Sequence, residues 1–247
     1  MDGQLVRITD LPSKGVTYPS DMELYVKPLS IKEQMEMDRY GISQAEYYQI
    51  LLDGITIKGN YNVNKLWYYD VQFMDIVRRL FTFDTEEEIT IIDYPCSDRY
   101  CNGKVNYSFT IDQIHYQDFP EDIFGKEYTF SDGLTVVVEP ITILDFITLS
   151  KKYVTNGNNN NQYSDALLAY FTYCIKEVKD RTFKDEKHKA DFLVEYLGGL
   201  TKYKDQKLLR QIEEDTVVDI VPFKAVCPEC GAEIEVKVTP YSTFQQD

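Results

Sequence analysis

The chain has 247 residues, of which 41 are acidic and 26 basic, for a formal net charge of −15. That balance argues against a binder of phosphate backbones, which concentrates Lys and Arg to displace counterions. A 43% hydrophobic content beside 27% charged residues suits a globular protein able to bury a core. No apolar stretch approaches the ~20 residues of a spanning helix, and the opening MDGQLVRITD lacks the basic and apolar regions of a signal peptide, so a protein made in a cytoplasm is expected.

In chain order, Pro12, Gly15 and Pro19 mark turns ahead of a strand over 22–26. Helices are expected over 31–39, 44–52 and 69–81, the last with Phe73, Met74, Val77, Leu80 and Phe81 on one face at helical spacing. The acidic run 84–88, DTEEE, reads as a solvated linker. Cys96 and Cys101 follow in YPCSDRYCNG, then the strand-like NYSFTI. A β-branched run, LTVVV, predicts a strand over 133–138, and helices are expected over 143–153, 163–178, 189–196 and 205–213. Between the first two lies the tract NGNNNN at 156–161, with the character of a surface loop. The acidic EED at 213–215 repeats the position of DTEEE, and Cys227 and Cys230 in AVCPECGAE lead into EIEVKV.

The two halves read as copies. Val26-Lys27-Pro28-Leu29-Ser30-Ile31 recurs 112 positions later as Val138-Glu139-Pro140-Ile141-Thr142-Ile143. Ser30 with Glu33 and Thr142 with Asp145 form corresponding capping boxes. Asp70, Phe73, Met74 and Val77 find partners at an offset of 135 in Asp205, Leu208, Leu209 and Ile212. The drift in offset places insertions near the asparagine tract and the charged stretch 176–189. The expected fold is therefore α+β with helices dominant: two related helical units, 1–118 and 119–247, each ending in a zinc-knuckle β-hairpin.

The cysteines carry the clearest chemistry. Cys96, Cys101, Cys227 and Cys230 supply the four thiolates of a closed tetrahedral zinc site, and in a reducing compartment such spacings favour metal over disulfides. A closed site leaves no position for a reactive water, so the zinc would be structural. Cys174, between Tyr173 and Ile175, reads as a buried small hydrophobe. No catalytic or cofactor-binding residues are assigned. His115 and His188 are the two histidines, and no serine-nucleophile elbow, phosphate loop or zinc-protease motif occurs. Asp215 or Asp219 ahead of Glu235-Val236-Lys237 imitates the acid and E-x-K strand of a metal-dependent nuclease. Alternating charge on the wet face of a hairpin explains the same residues.

Taken together, LPSKGVTYP, VKPLSIKEQ, DVQFMDIVRRL, DGLTVVVEPITILDF and CPECGAEIEVKVTPYSTF resemble the baseplate hub proteins of contractile-tailed phages of the T-even type, over nearly the whole chain. Where that family has C-x2-C in its first pair, this chain has C-x4-C. The resemblance implies a non-enzymatic part of the tail baseplate in the virion. The repeated units allow a symmetric oligomer in the assembly, and charge and hydropathy argue against nucleic acid and membrane; the resemblance further implies contacts with other hub and tail proteins, including the tape-measure protein. A transient tail assembly chaperone and a zinc-ribbon adaptor acting on host transcription are the alternatives it leaves open.

Overall fold

A computed structural model of the protein describes residues 5–80, 82, 89–110, 113–153 and 160–237. The DTEEE run and most of the asparagine tract lie outside these residues. Strand β1 (Val6–Ile8) pairs antiparallel with β2 (Glu23–Val26), and the chain then forms helices α1 (Ile31–Met37) and α2 (Gln44–Leu52) before β3 (Ile55–Lys58) returns to the other edge of β2. Val26 faces Val6 on one side and Ile55 on the other. A 3-10 turn (Val63–Lys65) leads into α3 (Tyr68–Leu80), and the hairpin β4 (Ile89–Pro95) with β5 (Lys104–Phe109) follows.

The same order begins again with β6 (Lys126–Thr129), β7 (Thr135–Val138), α4 (Ile143–Tyr153), α5 (Asn160–Cys174) and β8 (Ile175–Val178), and Val138 faces Lys126 and Ile175. After α6 (Glu186–Gly198) and α7 (Tyr203–Thr216), the hairpin β9 (Phe223–Val226) with β10 (Glu233–Val236) completes the described chain. Helix starts are fixed by their caps. Ser30 with Glu33 and Ser43 with Glu46 form reciprocal capping boxes, Thr142 and Asp145 exchange the same two bonds, and Asp185 caps α6.

Helices do not dominate. The described residues hold seven α-helices beside ten strands in four small sheets. Short β-branched runs that continue a helical pattern on paper turn instead to complete a sheet. The helix expected to run to 178 stops at Cys174, because Ile175 and Val178 bury themselves by pairing with β7. Ile55–Lys58 closes the first sheet in the same way. Nor do the halves end in two copies of one knuckle: β4–β5 carries a bulge between Ile91 and Tyr94 and a long turn, whereas β9–β10 is regular with a shorter one.

Two cores organise the molecule. The first gathers Leu24, Val26, Leu51, Leu66, Val71 and Met74, and takes in Ile143 and Ile147 from α4. The second gathers Val136, Val138, Phe171, Ile175, Leu193 and Ile212, with Cys174 buried among them and its thiol pushed up to about 12 by desolvation. Beneath the first sheet, fully buried Arg78 donates to Lys27 O (2.8 Å), Leu51 O (3.2 Å) and Glu33 Oε1 (3.0 Å).

Candidate metal centre

Two hairpin turns, far apart in sequence, are brought face to face. In β4, Asp93 takes a left-handed conformation (φ 59°), and its N–H donates to Asn106 Oδ1 at 2.9 Å, which fixes the bulge before Tyr94. Cys96 N–H then donates to Gly103 O (2.9 Å) and Cys101 N–H to Asp98 O (3.0 Å), folding the turn so that both sulfurs point one way. In the other hairpin, Cys227 N–H donates to Ala232 O and Gly231 N–H to Cys227 O, both at 2.9 Å, with Gly231 at φ 74°.

The hairpins are pinned together beside the sulfurs. The Tyr94 hydroxyl donates to Glu235 O and accepts from Lys237 N–H, each at 3.2 Å. Phe109 and Tyr107 stack on Phe223 with ring centres 4.8 and 5.3 Å apart, and Val105 and Ile234 are buried against Cys227.

All four predicted ligands meet here. Cys96 Sγ lies 3.7 Å from Cys230 Sγ and Cys101 Sγ 3.8 Å from Cys227 Sγ, and the four sulfurs lie within 4.8 Å of one another. A tetrahedron with zinc–sulfur bonds of ~2.3 Å has sulfur–sulfur edges of ~3.8 Å. The donor set therefore fits zinc in number, chemistry and spacing. Among the described residues it is the one cluster of His, Cys, Asp and Glu side chains gathered at metal-binding distance.

Electrostatics at the sulfurs pull in two directions. Amides at Cys230 and Glu229 hold the Cys227 thiol down at about 7. At Cys101 the Gly103 amide also favours a thiolate, but the Cys230 sulfur and desolvation outweigh it and push the thiol up to about 12. Four crowded sulfurs cannot all ionise without a cation between them. Amide donors on Cys96, from Asp98 (3.4 Å), and on Cys101, from Gly103 (3.3 Å), are the supporting contacts of a thiolate metal site.

Gly103 comes late in the first turn, two residues after Cys101. In the fold it is what lets the two hairpins close on each other, because a Cβ there would stand 2.7 Å from Cys227 Sγ and 3.0 Å from Cys101 Sγ. The N-G dipeptide after Cys101 was the available signal. Tyr94 left no comparable trace in the sequence.

Of the acids that imitate a nuclease, Asp215 is committed elsewhere. Asp215 accepts from the Tyr128 hydroxyl, from Lys126 Nζ (3.0 Å) and from Gln211 Nε2 (2.9 Å), so it is a buried anchor of α7. That also corrects the reading of EED as a wholly solvated run. Glu235 is exposed on β10. His188 closes the α6 cap with Nδ1 2.7 Å from Asp185, and His115 is exposed.

A family model described as T4 bacteriophage base plate protein matches residues 70–244, a span that holds all four cysteines. The chain belongs to that family. No curated protein and no solved structure matches it. As a T4-type base plate protein it resides in the tail baseplate of the phage virion, among other tail proteins. No helix among the described residues is long and apolar enough to cross a membrane.

Proposed function

We propose that this base plate protein is a non-catalytic structural part of the baseplate hub, built from two related units, 1–118 and 119–247, and clamped by one structural zinc on Cys96, Cys101, Cys227 and Cys230. The hub assignment rests on the family match over residues 70–244 together with the motif order along the chain. Its neighbours in this reading are other hub proteins and the tape-measure protein. The sulfur spacing of 3.7 and 3.8 Å across the two hairpins is the observation that carries the zinc. A closed four-thiolate zinc supplies folding energy and no open position for a substrate.

The two-unit reading draws support from matched hydrogen bonds. Lys27 N–H donates to Gly54 O (3.1 Å), and its counterpart Glu139 N–H donates to Cys174 O (3.0 Å). Both three-stranded sheets place the residue before the proline turn, Val26 or Val138, between two partners.

Elemental analysis of the purified chain should find one zinc, lost in the Cys227→Ser, Cys230→Ser double variant; a value near two would overturn the shared site. Cross-linking with mass spectrometry on purified virions should join this chain to hub proteins. Peptides found in infected-cell lysate and absent from virions would instead make it a departing chaperone.

A further inference from the structure

We infer that the chain associates head to tail with a second copy of itself, the α1 face bearing Ile31 and Met35 docking on the start of α7, which bears Tyr203. The inference rests on the two-unit reading. Its template is the contact that joins the units within one chain. There, Tyr68 N–H donates to Ile141 O (3.0 Å) and Ile143 N–H to Leu66 O (2.8 Å). Phe146 stacks on Tyr68 with ring centres 4.0 Å apart, and Ile143 and Ile147 are 0% and 4% exposed. The second unit thus offers a helix start with an apolar face, and the first unit offers the face of α2 together with the segment leading into α3.

Each surface has a counterpart in the other unit, and both counterparts are open. At the offset of 112, Ile143 and Ile147 correspond to Ile31 and Met35, which are 78% and 70% exposed on α1. At the offset of 135, Tyr68 corresponds to Tyr203, which is 77% exposed at the start of α7. One unit keeps an unused docking helix while the other keeps an unused docking segment. Large apolar side chains in such exposure, at positions whose counterparts are buried (Ile143, Ile147) or half-buried (Tyr68), supply the apolar part of a contact surface.

Charge favours the pairing. In a chain of net charge −15, Lys207 and Arg210 follow Tyr203 at helical spacing and are exposed, while exposed Glu36 and Asp38 follow Met35, Glu36 lying 3.7 Å from Lys32 of the same helix. One difference limits the overlap with the template: α6 has no counterpart in the first unit and packs on α5, the equivalent of α2. The docking surface is therefore the start of α7, and not the face of α5. Because the two surfaces differ, the contact is heterologous and builds a ring where the rotation closes, or a filament where it does not.

Sedimentation velocity on the zinc-loaded full chain tests this. Wild type should show species larger than monomer that grow with concentration, and Met35→Asp and Tyr203→Asp should each be monomeric. An equimolar mixture of the two variants should form a dimer and stop there, since each variant retains the surface the other lacks. A wild type that stays monomeric up to ~1 mM, where even a 1 mM Kd would show, overturns the inference. So does a mixture that stays monomeric, or a dimer insensitive to Tyr203→Asp. Both positions are exposed, and circular dichroism checks that the variants fold. A crystal structure of Met35→Asp separates the two readings. Failure of 6–58 to superpose on 126–178 sinks the unit reading itself, whereas good superposition beside a monomeric wild type sinks the docking alone.

Discussion

Ser13 gives both of its donors to Asp70, the N–H at 3.0 Å and the hydroxyl at 2.6 Å. The Tyr18 hydroxyl adds a third bond at 2.6 Å and itself accepts from Trp67 N–H at 2.9 Å. The loop between β1 and β2 is thereby latched to the first turn of α3. In the second half Ser131 latches to Asp205 in the same manner, N–H at 2.8 Å and hydroxyl at 2.6 Å, in the first turn of α7. Each serine begins a Ser-x-Gly whose glycine, Gly15 or Gly133, turns the chain at positive φ (67° and 94°).

Asp70 makes stability fall as pH rises. Burial pushes its carboxyl up to about 6, and the Ser13 and Tyr18 donors offset only part of that. An unfolded chain releases this proton near 3.8. Between those values the native state holds a proton the unfolded state has lost, so stability declines across pH 4–6, by up to ~3 kcal/mol for a shift of about two units. Urea unfolding of wild type and Asp70→Asn from pH 3.5 to 7 should give curves that diverge over this window. Parallel curves would mean that the folded chain holds no extra proton at Asp70.

Gly103→Ala should weaken the proposed zinc site without replacing a ligand. The added methyl would lie 2.7 Å from Cys227 Sγ, 3.0 Å from Cys101 Sγ and 3.2 Å from Glu229 Cβ, so the hairpins must separate. Disturbing the surroundings of a metal site lowers affinity by about 10–100-fold. Competition with a chromogenic chelator measures it, and an unchanged affinity would mean that the hairpins sit further apart.

Arg78 should be irreplaceable by lysine. Its three nitrogens serve Lys27 O, Leu51 O and Glu33, a fork that one ammonium cannot reproduce. Arg78→Ala should cost about 3–5 kcal/mol, the loss for breaking a buried charged pair, and Arg78→Lys should recover less than half of it in chemical denaturation. Gly54→Ala should destabilise at the same place, since its Cβ would fall 2.1 Å from Arg78 Cζ. Glu33 adds an acid limb. Partial burial works the other way, but the Ser30 hydroxyl and amide and the Arg78 guanidinium hold Glu33 down at about 2. Its contribution is present above ~4.5 and lost as pH falls toward 2. Arg78→Ala should flatten that limb.

The legible parts of this chain were those where one local cause decides the outcome. Capping boxes at Ser30 and Thr142 place α1 and α4, and the apolar spacing of Phe73, Met74 and Val77 gives α3 to within a residue. Four cysteines at metal spacings named their own cluster. What stayed hidden depends on distant partners. Ile175–Val178 is a strand because Val136–Val138 lies beside it, and nothing local distinguishes it from the last turn of a helix. Asp215 reads as one of three surface acids until Lys126 and Tyr128 arrive from 87 or more residues away.

Matching positions of α4 and α1 should respond unequally to truncation. Ile147 on α4 is 4% exposed in the first core, whereas Met35 on α1, 112 residues earlier, is 70% exposed. Ile147→Ala removes buried methyl groups and leaves a cavity, at a cost of about 2–5 kcal/mol. Met35→Ala removes solvent-exposed atoms in the monomer and should stay within ~0.5 kcal/mol. Phe146→Ala tests the neighbouring stack: it deletes the half-buried ring lying parallel to Tyr68 and edge-on to Tyr48, and should cost less than the ~3–5 kcal/mol of a fully buried phenylalanine. Thermal denaturation at dilute protein concentration isolates these monomer terms. Equal losses for Met35→Ala and Ile147→Ala would place both helices in equally packed surroundings and contradict the asymmetry on which head-to-tail docking depends.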